Sequence, residues 1–204
     1  MFYLIKEKKF YYEKIFCQEL ENGGENFWIL ENLDNEDLRK LGLAKVIEHK
    51  IPEYDKNTQN LNLVQDYDEL KNEFNISYKV EEKSLEQLKD LKLKELKTIK
   101  EQKLLFMPYK NTIFQIDTDA KINISGKVSE IVLAQLNQKT LENINWIDKN
   151  NQIIIFSASE FLEFGISIAK YTEEVIFKND TLRNEVKNAS SSEELKKIQW
   201  ENKE

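Results

Sequence analysis

One histidine and one cysteine, His49 and Cys17, are all that 204 residues offer as ready bases and soft metal ligands. That scarcity excludes an intrachain disulfide and the usual zinc cages, which draw on several His and Cys side chains. It also leaves no evident nucleophile–base pair, since such a pair needs the base oriented by a third group. His49 sits between Glu48 and Lys50 in a strand-to-loop stretch and is expected to be exposed and structurally neutral. Cys17, between Phe16 and Gln18 in a strand-like run, is expected to be a buried, inert thiol. Five glycines and two prolines are too few for a disordered or Gly-rich all-β chain. Neither Gly-x-Gly-x-x-Gly nor Gly-Lys-Ser/Thr occurs, so no phosphate loop is present. No run of about eighteen apolar residues exists to span a bilayer. The start, Met1 to Lys6, lacks a basic segment followed by an apolar one. The expectation is a soluble protein made in the cytoplasm.

Positive charge is also in deficit: 30 Lys and Arg face 37 Asp and Glu, giving a net charge of −7 and a pI of about 5.1. Phosphate binding needs clustered Lys and Arg to release counterions, so nucleic acid is not an expected partner. The lysines of the Lys92–Lys100 stretch are interleaved with acids, the pattern of a solvated helix face. What is plentiful is core material, 40% hydrophobic residues, enough for one domain or two small ones.

The order of elements reads as α+β: a small strand-rich N-terminal module over 1–82, then a long helix opening a mainly helical C-terminal domain with a β-hairpin over 84–200. The tail, 201–204, is expected to fray. Phe2 to Ile5 and Phe10 to Phe16 are strand-like, and Asn22-Gly23-Gly24 is a turn. Phe27 to Leu30 is the next strand. Asp34 caps a short helix, with Leu33 and Leu38 as its hydrophobic staple, and Gly42 stops it in a left-handed conformation. Leu43 to Glu48, Leu61 to Val64 and Phe74 to Val80 are strands, the last two separated by an acidic connector from Asp66 to Glu73.

A boundary falls near Glu81 to Ser84. Ser84 and Gln87 form a capping box for a helix running to about Leu105. Its apolar positions, Leu85, Leu88, Leu91, Leu93, Leu96 and Ile99, break the heptad. A helix packed on its own domain therefore fits better than a short oligomer-forming coiled coil, although the second stays open. Pro108 ends that region and Ile113 to Ile116 is a strand. A helix over Ala120 to Asn137 places Ile124, Val128, Ile131 and Val132 on one face. Gly126 weakens that helix or permits close packing. Asn143 to Ile147 and Gln152 to Phe156 pair as a hairpin. Ser157 and Glu160 then form the clearest capping box, with Phe156 and Phe161 as staple, and Phe161, Phe164, Ile168, Tyr171 and Val175 make one stripe. A break near Asn179-Asp180 is compatible with the pattern. Ser191 and Glu194 open a last short helix ending at Trp200.

Chemistry is sparse. Asp117-Thr118-Asp119 starts like a calcium loop, but Lys121, Ile122 and Val128 stand where an oxygen ligand, a glycine and a bidentate acid belong; it reads as a helix cap. Glu173-Glu174 and Glu193-Glu194 are adjacent on helices and do not converge, whereas a glycosidase needs two carboxyls facing across a cleft. Trp28, Trp146 and Trp200 can serve as partner anchors, with core anchoring favoured for Trp146 and Trp200. Trp200 is expected to fold back on the hairpin. No catalytic, cofactor-binding or metal-binding residue emerges; the residues singled out are structural anchors, Trp146, Phe156, Ser157, Glu160, Phe161 and Trp200.

From Leu85 to Trp200 the order of motifs resembles a domain of unknown function found in tailed-bacteriophage tail and tail-fibre-associated proteins. The likeness rests on the Asp117-Thr118-Asp119 helix, the Trp146 hairpin, Ser157-Ala158-Ser159-Glu160, the long helix, and Glu193-Glu194-Leu195-Lys196-Lys197-Ile198-Gln199-Trp200. Asp37-Leu38-Arg39-Lys40-Leu41-Gly42 and Pro52-Glu53-Tyr54-Asp55 are similar to segments of N-terminal modules in phage tail proteins. The segment Tyr109 to Phe114 departs from the family in lacking a glycine. The resemblance implies a phage or prophage tail protein, associated with fibre or baseplate, without enzyme activity or cofactor. Its partners would be other tail proteins, with self-association into a homo-oligomer open. Its place would be the virion tail, or the bacterial host cytoplasm during assembly. A tail-fibre assembly chaperone is the alternative, and a glycan-acting hydrolase the rival from another class.

Overall fold

The computed structural model describes residues 1–201. The chain is α+β, strand-rich at its N-terminal end and helical towards its C-terminal end. It divides into two compact units, Met1–Lys83 and Ser84–Glu204.

Among the described residues, the first unit is built on a five-stranded sheet in the order β2-β1-β5-β7-β6. The strands are β1 (Phe2–Leu4), β2 (Lys9–Tyr11), β5 (Leu43–Glu48), β6 (Gln59–Asp68) and β7 (Glu73–Glu82). Only the β5–β7 pairing is parallel. Between β2 and β5 the chain makes a separate hairpin, β3 (Ile15–Glu19) with β4 (Glu25–Ile29), and the short helix α1 (Asn35–Lys40). Strand alternation sends Phe2, Leu4 and Leu43 to one face, where they meet Leu30 and Leu38. Tyr3, Phe10 and Phe74 occupy the other. There Tyr3 stacks on Phe74 at 3.8 Å and Phe10 meets Phe74 edge-on at 5.5 Å. Helix α1 starts as its sequence dictates: Asp34 accepts from the Asp37 N–H and Gly42 takes φ +74°.

Two strand boundaries differ from expectation. The Phe10–Phe16 run is not one strand: it breaks after Tyr11, and the charged corner at Glu13 and Lys14 sends Ile15 into the separate hairpin, with the Tyr11 hydroxyl donating to the Ile15 carbonyl across it. The acidic connector shrinks to a tight turn, because Tyr67 and Asp68 find ladder partners in Phe74 and Glu73. That turn is locked by Asn72, fully buried with φ 56°. Its amide donates to the carbonyls of Asn35 and Leu43, both at 2.9 Å, and its Oδ1 accepts from the Tyr67 hydroxyl at 2.8 Å. Asn35 donates back to the Lys71 carbonyl, and Arg39 to those of Glu69 and Leu70.

The second unit comprises α2 (Leu85–Lys103), β8 (Phe106–Tyr109), β9 (Thr112–Gln115), α3 (Thr118–Leu136), β10 (Ile144–Ile147), β11 (Ile153–Phe156), α4 (Ala158–Asn188) and α5 (Ser192–Lys197). Both capping boxes, Ser84 with Gln87 and Ser157 with Glu160, close in both directions. The third closes only halfway. Ser191 accepts from the Glu194 N–H, but the Glu194 carboxylate turns to the N–H and hydroxyl of Ser190. Pro108 lies inside β8, opposite Ile113, rather than ending the region. A two-stranded ribbon has open edges, where the missing N–H costs no ladder bond.

Helix α4 is continuous through Asn179-Asp180, since neither residue interrupts the i to i−4 ladder as proline would. Its stripe feeds two clusters. Phe161, Phe164 and Ile168 join Met107, Phe114, Ile124, Ile131 and Phe156. Val175, Leu182 and Val186 join Leu96, Leu195 and Ile198. Val132, expected inward, is 41% exposed; it lies about 100° round the helix from Ile131. Trp200 corrects a further expectation. It packs into the cluster of α2, α4 and α5 rather than on the hairpin, with Lys178 over its ring. Helix α5 ends at Lys197 and Ile198 is extended, so Trp200 lies beyond the helix. Of the tail expected to fray, 202–204 lie outside the described residues, while Glu201 pairs with Lys103 at 2.9 Å.

Two stability outcomes follow from these contacts. Asn72→Ala removes both amide bonds, one of them to the buried Leu43 carbonyl, and strains the turn, and should lower the unfolding free energy by about 3 kcal/mol; Asn72→Gly should recover about 1 kcal/mol of that. Trp200→Ala should cost about 3 kcal/mol by emptying the α2–α4–α5 cluster. Urea denaturation of the full chain, followed by circular dichroism, measures both.

Candidate binding surface

The anchors Trp146, Phe156, Ser157, Glu160 and Phe161 converge where β11 turns into α4. Trp146 and Phe156 meet the Phe161 ring at 5.1 and 5.6 Å. Glu160 Oε2 accepts from both the N–H and the hydroxyl of Ser157 at 2.9 Å. Those bonds, with Lys110 close by, hold the Glu160 carboxyl below the usual carboxylate range. These residues build a rigid corner; Trp200 is in the other cluster. The signal for the corner is local in sequence, which makes it readable there.

A joint with a weaker signal is Asp148, 5% exposed in the turn between β10 and β11. Its Oδ1 accepts from the Gln152 and Asn150 N–H groups at 2.8 Å, and its Oδ2 from the Thr112 hydroxyl at 3.0 Å. The Lys149 N–H bonds the Ile113 carbonyl, so one turn ties both hairpins of the unit together. The backbone donors, Gln152 foremost, pull the Asp148 carboxyl down against the cost of desolvation.

Between α3 and α4 runs an open groove of about 700 Å³. Ile124, Val128, Leu162 and Ala169 give it apolar walls. Gly165 borders it at close quarters: a Cβ there would stand 3.0 Å from Val128 Cγ2, so a larger residue would require Val128 to give way by a few tenths of an ångström. Lys121 borders it, its ammonium pushed down by desolvation and partly held up by Asp117. Thr172 Oγ1, buried in the same groove, has no hydrogen-bond partner among the described residues. No carboxylate, histidine or cysteine lines the groove among those residues.

The outer face of the β10–β11 hairpin is apolar as well. Pairing register turns Ile144, Trp146, Ile154 and Phe156 inward and Ile147, Ile153 and Ile155 outward. Those three are 58%, 65% and 62% exposed. A two-stranded ribbon with one solvated face ordinarily carries polar residues there.

The remaining candidates lie apart. His49 is exposed, its Nε2 3.1 Å from Asn75 Oδ1. Cys17 is exposed, not buried, because β3 and β4 form an isolated ribbon; desolvation and the carboxylates of Glu25 and Glu19 push its thiol up, which disfavours thiolate. Asp117 caps α3 through the Ala120 N–H. Among the described residues, no group of three or more His, Cys, Asp or Glu side chains could hold a metal ion, and no helix is long and apolar enough to cross a membrane.

The lowered carboxyls Asp148, Glu160 and Asp117 fix the sign of an acid effect. Their stabilisation is complete above the ordinary carboxylate pKa of about 4 and is lost as pH falls through the lower folded values. Unfolding midpoints in urea should therefore fall on acidification below about pH 4. Asp148→Asn should be less stable than wild type at neutral pH and show a shallower loss.

Residues 87–199 match the Domain of unknown function (DUF4376). No curated protein matches the chain, and no solved structure does. The match takes in the groove, both hairpins and the buried clusters apart from Trp200, and covers more than half of the sequence; the chain belongs to the family defined by this Domain of unknown function (DUF4376).

Proposed function

We propose that the chain is a structural component of a bacteriophage or prophage tail, associated with fibre or baseplate and working through protein–protein contacts without catalysis. The observation that carries this reading is the outward trio Ile147, Ile153 and Ile155 on a hairpin whose inner face is already filled. Solvent gains nothing from three neighbouring isoleucines, and apolar patches of this kind mark partner surfaces. The hairpin is held from behind by Asp148 and by the aromatic corner at Phe161, so it presents a preformed face that needs little ordering on binding. The motif order from Leu85 to Trp200, similar to that of phage tail proteins, supplies the system. In this reading the C-terminal unit is the rigid mating surface and the N-terminal module engages a second tail component.

The test is mass spectrometry of purified particles from a lysogen or phage carrying the gene. The wild-type protein should be present in stoichiometric amount. An Ile153→Lys, Ile155→Lys double variant, folded by circular dichroism, should be incorporated about ten-fold less. Absence of the wild-type protein from particles, with fibres misfolding on deletion, would replace the structural role by an assembly chaperone. Turnover of a host-surface glycan by the purified chain would overturn the non-catalytic reading.

A further inference from the structure

The two edges of the five-stranded sheet are unequal. Strand β2 has three residues, whereas β6 has ten. Strand β6 pairs with β7 without a bulge, from Gln59 opposite Glu82 to Asp68 opposite Glu73. Natural sheets blunt a long edge with lysine, proline, a bulge or a covering segment. Strand β6 contains neither lysine nor proline. Asn62 to Asp66 are all exposed, Leu63 at 55% and Val64 at 38%.

Neighbouring bonds fix which backbone groups of β6 face out. The Lys83 N–H bonds the Thr58 carbonyl on one side of β7, and the His49 N–H bonds the Ile76 carbonyl on the other. Directly opposed residues of an antiparallel ladder alternate between bonded and unbonded pairs. The even-numbered residues of β6 therefore turn N–H and C=O towards β7, and the odd-numbered ones turn theirs outward. The chain itself engages those of Gln59. Its N–H goes to the Asp55 carbonyl, and its carbonyl accepts from the Lys83 ammonium at 2.6 Å. Leu61, Leu63, Gln65 and Tyr67 continue the row, each with an outward donor and an outward acceptor. Only another extended strand engages such a row together.

We propose that β6 pairs antiparallel with β6 of a second copy about a two-fold axis through Val64. In this two-fold register alone all the outward residues meet one another, Leu61 with Tyr67 and Leu63 with Gln65, each pair exchanging both N–H···O bonds. Between them fall the unbonded pairs Val64 with Val64, Asn62 with Asp66, and Asn60 with Asp68. The only charges on the strand, Asp66 and Asp68, thus lie opposite amides and not opposite each other, where like charges would be destabilising. Asn62 gives one amide N–H to Glu81 at 2.8 Å and has a second to offer the partner's Asp66. The contact uses one edge twice, as a two-fold interface requires. It does not depend on the tail reading and uses a surface other than the outer isoleucines of the β10–β11 hairpin.

Sedimentation velocity on the full chain tests it. Wild type should show a monomer–dimer equilibrium at micromolar concentration. Gln65→Pro removes an outward N–H and leaves the β6–β7 ladder its bonds. Counted twice by symmetry, that loss should weaken association by about ten-fold or more, with the circular dichroism of the monomer unchanged. Val64→Lys sets like charges face to face at the axis and should act in the same direction. In a Cys17→Ser background, Val64→Cys should cross-link to itself under mild oxidation, because an unbonded antiparallel pair brings Cα atoms to about 4.5 Å. Asn62→Cys should cross-link to Asp66→Cys in a mixture but not to itself. A wild type that is monomeric at every concentration overturns the proposal, as do Gln65→Pro and Val64→Lys variants that dimerise as well as wild type. Self-cross-linking of Asn62→Cys overturns it too, by requiring another register or a parallel pair.

Discussion

The C-terminal unit depends on one stripe of one helix. Helix α4 supplies Phe161, Phe164 and Ile168 to the cluster with the hairpins and α3, then Val175, Leu182 and Val186 to the cluster with α2 and α5, and Tyr171 packs against both. Because an α-helix repeats every 3.6 residues, a stripe this long stays on one side only if spacings of three and four mix to average near that value, and from Phe161 through Asn179 to Val186 they run 3, 4, 3, 4, 4, 3 and 4. The helix therefore cannot shift its register in one cluster without disturbing the other. The polar exception is Asn179, buried at 6% within the stripe, whose Oδ1 finds no partner among the described residues. Burying such an atom costs free energy, so here the continuity of the helix outweighs local satisfaction.

The first unit is organised differently. Strands β1, β2 and β5 have only three to six residues, and its helix has six, too few to be stable alone. What fixes them is Asn72, which lets the β6–β7 turn adopt a left-handed residue and feeds its amide to the carbonyls at the start of α1 and β5. A single side chain thus joins a turn, a helix N-terminus and the central strand. Asparagine suits both demands, because it tolerates positive φ and carries donor and acceptor together.

The parts of this architecture that are legible in the sequence are those set by close neighbours along the chain. Ser84, Ser157 and Asp117 announce helix starts because a capping bond spans three residues, and the α4 stripe declares itself by its period. The Ile144–Ile147 and Ile153–Phe156 strands follow from β-branched runs around an Asn-Asn turn. What the sequence hides depends on distant partners. Trp200 follows a helix that packs on α2 and α4, and nothing in Ile198-Gln199-Trp200 says which cluster receives it. Cys17 has strand formers as neighbours, which suggests burial, but whether a strand is covered depends on the sheet it joins. Glu194 reaches Ser190 rather than Ser191 because two serines compete for one carboxylate. Gly165 and Thr172 carry no usable signal, since a groove exists only once α3 and α4 are side by side, and Asp148 carries a weak one, since its partner Thr112 lies in the other hairpin.

Acidity is the most misleading feature of the sequence, and its disposition in the structure bears directly on function. With 37 acids, some pair always invites a catalytic interpretation. General acids and bases near neutrality need carboxyls whose pKa is raised, by burial or by a like charge. Every carboxyl among the described residues that departs clearly from its ordinary value is displaced the other way: Asp55, Glu81, Asp117, Asp148, Glu160, Glu193, Glu194 and Glu201 are all lowered. The leading causes are backbone N–H groups at turns and helix starts, or a neighbouring lysine. These acids act as acceptors that hold the ends of elements in place. Apolar side chains are exposed on the β10–β11 hairpin, on α3 and on the β3–β4 ribbon, where Ile15, Phe27 and Ile29 share one face. In the proposed tail role, specificity for a partner would come from shape and desolvation at such faces, within a surface whose net negative charge discourages contact elsewhere.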